Sequence, residues 1–242
     1  SLDMGKARSS ILRGRTMEQP IYEDKDIAAF NKPAGVIFDW ILAERPELIP
    51  VHRLDKDTSG VILFAKNQEA ADYLKARFQA REIKKTYLAL VVGDIKEREG
   101  IIDLAIGRSA KTPLKRVAIG KQRGKIREAV TEYKVLNRYE GLAPSPAQSG
   151  IEGFTLVEAY PKTGRMHQIR SHFAAIGRPV ACDKLYSGKR FMCPGGISRQ
   201  FLHAAAVELT LPSGGRIKLE ADLAPDLAEA LTTLEIVKDR EE

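Results

Sequence analysis

The sequence predicts an α+β fold, with one domain over residues 20–242 behind a short basic arm, 1–19. Three observations carry this. Runs rich in β-branched and aromatic residues outnumber amphipathic stretches. The two kinds do not alternate regularly, which argues against a doubly wound sheet. No repeat or linker divides the 242 residues, a length that a single large core can serve.

Ile27–Phe30 is an apolar run stopped by Lys32-Pro33-Ala34-Gly35, a strand followed by a turn. Residues 38–44 predict a short helix ended by Pro46. Val61–Lys66 reads as a strand. Asn67 then caps a helix to about Arg81, with Ala70, Tyr73, Leu74 and Phe78 on one face. Ile83–Val92 predicts a long strand, apolar on both sides and so covered on both. Further strands are expected at 101–106, 117–119, 129–136 and 154–159. Met166 to Ile176 fits a helix closed by Gly177, with Met166, Ile169, Phe173 and Ile176 as its core stripe. Residues 206–211 and 216–220 form a hairpin around Pro212-Ser213-Gly214-Gly215. A last helix runs from Asp226 to Val237, with Pro225 just outside it. Residues 143–150 are a loop.

Composition narrows the function classes. Hydrophobic residues make up 43% of the chain, enough for a packed core. No run approaches the ~18 apolar residues of a membrane helix, and the basic, polar start is no secretory signal. Two cysteines, Cys182 and Cys193, are too few for a disulfide framework, so a reducing, cytoplasmic setting is expected. Net charge is +7. Its distribution says more than its size. Between Arg108 and Arg127 lie eight cations and no acid. A solvated face usually mixes both signs, so this stretch suggests phosphate contact. Lys6, Arg8, Arg13 and Arg15 make a second basic stretch, expected as a flexible arm.

The most informative segment is His52-Arg53-Leu54-Asp55-Lys56-Asp57-Thr58-Ser59-Gly60. It sets a carboxylate two residues after an arginine, in a polar turn just before a strand. Gly60 permits a sharp bend there. An acid held beside a cation tends to stay ionised and can serve as nucleophile or base. The plainer alternative is a turn whose Asp and Ser cap backbone groups.

This segment resembles the signature of the RluA-type pseudouridine synthases. Asn31-Lys32-Pro33-Ala34-Gly35, Lys85-Thr86-Tyr87-Leu88-Ala89, residues Thr163 to His172 and Leu202-His203-Ala204 resemble the same family, in the same order. Met166 stands where the family has threonine. The resemblance runs from about residue 20 to 235. It implies one large mixed, mainly antiparallel sheet with a central RNA-binding cleft, and no room before the first motif for a small S4 module. It implies isomerisation of a uridine in ribosomal or transfer RNA, by a monomer, without cofactor or metal. The N1–C1′ bond breaks, the base turns and C5 joins C1′, so no atom is gained and no electron is transferred. Attack on the sugar, addition to the base and elimination through a glycal all need an unprotonated carboxylate. The resemblance puts that carboxylate on Asp55, its cationic partner on Arg170, and an aromatic under the uracil on Tyr87. It places Arg53 beside the flipped nucleotide. Arg165, His167 and Lys32 are candidates for phosphate or 2′-hydroxyl contacts, and Lys115 and Arg116 for the RNA-facing basic stretch. Tyr87 as a core aromatic and Arg170 on a solvated helix face are the plainer alternatives.

Three rivals have sequence features of their own. All four histidines fall within the motifs, but His167 and His172 stand roughly 140° apart around a helix, a poor pair for one ion. Asp55 and Asp57 resemble a glycosidase pair, yet loop neighbours have no fixed separation. A non-catalytic RNA-binding module would explain the basic stretch but not Asp55, Tyr87 and Arg170 together.

Overall fold

The computed structural model describes residues 19–140 and 153–237. The basic arm and the 143–150 loop lie outside them. Thirteen strands and three α-helices are described: β1 (Tyr22–Glu23), β2 (Ile27–Lys32), β3 (Ile49–Pro50), β4 (Ser59–Ala65), α1 (Gln68–Gln79), β5 (Lys84–Val92), β6 (Glu99–Asp103), β7 (Ile106–Ser109), β8 (Arg116–Val117), β9 (Gln122–Arg127), β10 (Val130–Tyr139), β11 (Phe154–Pro161), α2 (Gln168–Ala175), β12 (Leu202–Thr210), β13 (Arg216–Glu220) and α3 (Pro225–Thr232). Ten strands form one sheet, ordered β1-β2-β4-β12-β5-β11-β10-β6, with β3 added on β4 and β13 on β12. Every pairing in it is antiparallel except β4 with β12. This is the mixed α+β architecture that the sequence predicts. A second, three-stranded sheet, β8-β7-β9, is built from the basic stretch.

Strand β5 is covered on both faces. Leu90 and Val92 pack with Phe154, Phe201 and Leu227 on one side. Ala89 and Val91 pack with Val157, Ile169 and Phe173 on the other. The period-two alternation thus feeds two cores at once. Helix α1 begins where expected, since the Asn67 side chain accepts from the Ala70 N–H at 2.8 Å. Its Ala70, Ala71 and Leu74 are buried with Val61 and Leu63 of β4.

Four expectations are corrected. The helix expected at 38–44 is one 3₁₀ turn, Trp40–Ala43. Helix α2 starts at Gln168, because His167 adopts a left-handed conformation (φ 55°). Of its expected stripe, Ile169 and Phe173 are buried while Met166 and Ile176 are over a third exposed. Helix α3 takes Pro225 as its first residue and stops at Thr232, and Ile236 then bridges to Tyr139. Cys182 and Cys193, too few for a disulfide framework, are paired with each other in a single disulfide. The chain turns back between them, bringing their α-carbons to 4.7 Å.

Gly60 fixes where the central parallel pair meets. Its φ is +113°, and a Cβ there would stand 2.2 Å from the Ala204 carbonyl oxygen, opposite it on β12. That contact is backbone and cannot yield. Gly60→Ala should therefore cost about 4 kcal/mol or more, among the largest single-residue effects. Denaturant unfolding of the variant would measure it.

Candidate active site

The turn from His52 to Thr58 enters β4 under unusually many constraints. His52 Nε2 accepts the Leu63 N–H at 2.8 Å, so the ring proton is on Nδ1. Burial pushes this imidazole down to about 3, so it is a neutral strut and not a base. Gly35 N–H and Lys32 Nζ both donate to the Lys56 carbonyl, at 3.0 Å each. Arg199 Nη1 donates to the Asp57 carbonyl at 3.0 Å. The Thr58 N–H closes the turn on the Asp55 carbonyl at 3.1 Å. Asp55 therefore projects from a braced loop into a cavity.

Lys32 is corrected by this geometry. Its side chain is wholly buried, and its ammonium donates to the carbonyls of Pro33, Val36 and Lys56 at 2.8–3.0 Å. It ties the 33–36 turn to the Asp55 loop and has no face toward the cleft. The sequence could not distinguish a cation that meets phosphate from one that meets carbonyls.

Arg170 comes from α2, anchored by Ile169 and Phe173. Its Nη1 donates to Asp55 Oδ2 at 2.9 Å. Its Nε and Nη2 donate to the two oxygens of Asp183, at 2.6 and 3.0 Å. Asp183 is fully buried and also accepts the N–H groups of Leu185 and Tyr186 through Oδ1. One guanidinium thus bridges a cavity acid and a buried acid, which fixes both ends of its planar fork.

Tyr186 gathers four of the residues singled out by sequence. Its hydroxyl accepts the Arg116 backbone N–H at 2.9 Å and lies 3.0 Å from His167 Nδ1. The Arg170 guanidinium carbon is 5.1 Å, and Lys115 Nζ 4.9 Å, from its ring centre. With the hydroxyl accepting from Arg116, its proton is free for His167 Nδ1. That leaves the His167 Nε2–H turned to Asp55 Oδ2, 3.8 Å away. Burial lowers His167 below its ordinary range, opposed in part by Asp55. Asp183 and Tyr186 were missed from the sequence. The only signal was an acid and an aromatic three apart in a turn, which is common in any chain.

Asp55, Tyr87 and Arg170 line one cavity of about 640 Å³, with Arg53, Arg165 and His167 also in its wall. Tyr87 lies at mid-sheet, paired with Ala204 of β12 and Ala159 of β11. Burial first, and then the charge of Asp55, raise its phenol above the ordinary range. It is a protonated hydroxyl at neutral pH. Lys85, also in the wall, is lowered to about 8 by burial. Arg165 Nε donates to the Glu128 carbonyl at 3.0 Å. It and His167 precede α2 instead of forming its first turn, so neither relies on a helix N-terminus. Lys115 and Arg116 stand outside this wall, on the β8 segment packed against Tyr186. Five of the eight cations of 108–127 thus lie on the strands of a small sheet beside the cavity, and Lys111, Lys115 and Lys121 in its connections.

Residues 38–175, a span that includes the Asp55 loop and α2, match the family described as RNA pseudouridylate synthase. The chain belongs to this family. It is 35% identical over 240 residues to ribosomal large subunit pseudouridine synthase D of Nitrosomonas europaea, covering 88% of this chain and 64% of that protein. It is 34% identical to ribosomal large subunit pseudouridine synthase C of Escherichia coli K12, covering 88% and 69%. The chain thus spans about two thirds of the length of these curated relatives. Among solved structures, human RNA pseudouridylate synthase domain containing 1 superposes with a TM-score of 0.75 at 26% identity, covering 94% of this chain and 93% of that one. Human RNA pseudouridylate synthase domain containing 4 has the same fold, with a TM-score of 0.68 at 22% identity.

Proposed function

We propose that this chain isomerises a specific uridine in RNA to pseudouridine, with Asp55 as the essential carboxylate. One observation carries the reading. A single cavity presents a braced carboxylate, a guanidinium bonded to it and a protonated tyrosine, in a wall that also bears cations. The names of the family relatives favour ribosomal RNA as substrate, with transfer RNA as the second class to test. A uridine in folded RNA is inaccessible to such a cavity, so the target nucleotide is flipped out and held there. Tyr87 supports the uracil face while the base turns. Arg170 fixes the orientation of the Asp55 carboxylate, and Arg53, in the wall of the same cavity, helps hold the base out of its stack. The reaction is balanced within the substrate, as the N1–C1′ bond is exchanged for C5–C1′ and the C5 proton passes to N1 through solvent. The proposed enzyme acts as a cytoplasmic monomer. No described helix is long and apolar enough to cross a membrane.

Tritium release from RNA labelled at uridine C5 tests the proposal. Ribosomal RNA from cells lacking the protein should release tritium to saturation at one or few sites. No release from either ribosomal or transfer RNA would overturn it.

The small basic sheet is the proposed RNA path into the cavity. Lys121, Arg123, Lys125 and Arg127 are exposed on or beside β9. Replacing all four by Gln should flatten the slope of log affinity against log salt by about three units, at ~0.7–0.9 per phosphate contact. Turnover at saturating RNA should persist, because none of the four touches the cavity. An unchanged slope in the folded variant would move the RNA path elsewhere.

A further inference from the structure

Asp55 lies at the junction of two cavities. Besides the large one, a second of about 340 Å³ shares Arg53, Leu54, Asp55, His167 and Arg170 with it. Tyr87 belongs to the large cavity alone. The small one adds Ile37, Phe38, Lys56, Asp57 and Gln200. Each is in the ~300–1,000 Å³ class of small-molecule sites. One flipped uridine needs only the cavity with Tyr87, so the proposed reaction leaves the smaller one without a role.

The lining of the small cavity has a definite chemistry. The Arg53 guanidinium carbon is 5.3 Å from the centre of the half-buried Phe38 ring. Beside it Ile37 is 57% exposed, an apolar side chain with no core to serve. Lys56 is exposed, while Gln200 is buried with its amide held toward Thr58 Oγ1 at 3.4 Å. Asp57 among these residues makes the cavity a poor phosphate site. A guanidinium plane lying over an aromatic ring, with an amide and both charge signs at the rim, is what an unpaired base stacks on in single-stranded RNA recognition.

We propose that this smaller cavity is a subsite for the nucleobase adjacent to the target uridine, seated on the Phe38–Arg53 shelf. It rests on the reading of the large cavity as the uridine site. The two cavities meet at Asp55, so a strand whose target sugar is at Asp55 passes its next nucleotide across the shared wall. The shelf would then hold two consecutive nucleotides out of their stack and make turnover sensitive to the identity of one neighbour.

The test uses a stem-loop RNA spanning a site first mapped on ribosomal RNA, with either flanking base removed to leave an abasic ribose. For the unaltered protein, one of the two abasic RNAs should lose roughly ten- to hundred-fold in kcat/KM, the scale of one base stacked on an aromatic. For Phe38→Ala the same RNA should lose less than about three-fold relative to the intact RNA, because the shelf is already gone. Phe38→Leu keeps the apolar packing but not the ring that backs the Arg53 guanidinium, and should behave as Phe38→Ala does even if the latter is poorly folded. Turnover of the intact RNA with neither abasic site costing more than about three-fold would overturn the subsite alone. So would equal losses from the abasic site in the wild type and in Phe38→Leu. Absence of turnover on the intact RNA would overturn the uridine-site reading, and the subsite with it.

Discussion

Asp55→Asn should abolish turnover while leaving RNA affinity within a few-fold. The substitution is nearly isosteric, and an Asn oxygen can still accept from Arg170 Nη1, which stands 2.9 Å from Asp55 Oδ2. The braces on the loop reach backbone carbonyls and His52, not the Asp55 side chain, so the turn should keep its shape. What disappears is a carboxylate able to bond to carbon or take a proton. The expected loss is on the order of 10⁴-fold or more, at ~1.4 kcal/mol of barrier per decade. Release of tritium from C5-labelled uridine reads the chemistry, and filter binding reads the affinity. Activity within ten-fold of wild type would remove Asp55 from the reaction and return the loop to the plainer role of capping backbone groups. Parallel loss of binding would show instead that the acid shapes the RNA site.

The parts of this site that were legible in the sequence share one property, a residue whose role follows from its neighbours in the chain. The His52–Gly60 turn is local, and the need for Gly60 at its end is met by a φ of +113°. Asn67 capping and the two-faced strand at 84–92 are local as well. The illegible parts are contacts across sequence. Lys32 looks like any cation beside a turn until 24 residues later Lys56 offers it a carbonyl. Asp183 looks like any turn acid until Arg170, 13 residues earlier, reaches it. Strand β9 was invisible for a different reason. In Gln122–Arg127 nearly every side chain is exposed, so no apolar period marks it and pairing with β7 alone makes it a strand. The basic stretch was recognisable by charge, but charge carries no geometry.

Asp183→Asn should separate rate from binding almost as sharply as the loss of Asp55. Arg170 has a nearly buried side chain and depends on two carboxylates. Asp183 is the anchor, holding both Nε and Nη2 and itself held by two backbone N–H groups. Only Nη1 is left to Asp55. An amide at 183 has one acceptor oxygen, and it would set an N–H against the guanidinium where the second oxygen stood. Arg170 would then be a buried cation with one full partner, an arrangement that costs about 3–5 kcal/mol when an ion pair is broken from one side. The fork can recover by rotating toward Asp55, and that rotation moves the carboxylate. The expected result is a fall in kcat of roughly 10²-fold, as misplacement by about 1 Å can produce. KM and RNA affinity should change little, because Asp183 has no exposure to the cavity. A role confined to folding predicts otherwise: fewer active molecules, full kcat per folded molecule, and recovery at low temperature. Active-site titration with tight-binding RNA distinguishes the two. Arg170→Lys gives the matching result from the other side, since an ammonium cannot serve both acids in one plane. If Asp183→Asn retained wild-type kcat per folded molecule, the Arg170–Asp55 contact would have to be fixed by α2 and the Tyr186 ring alone.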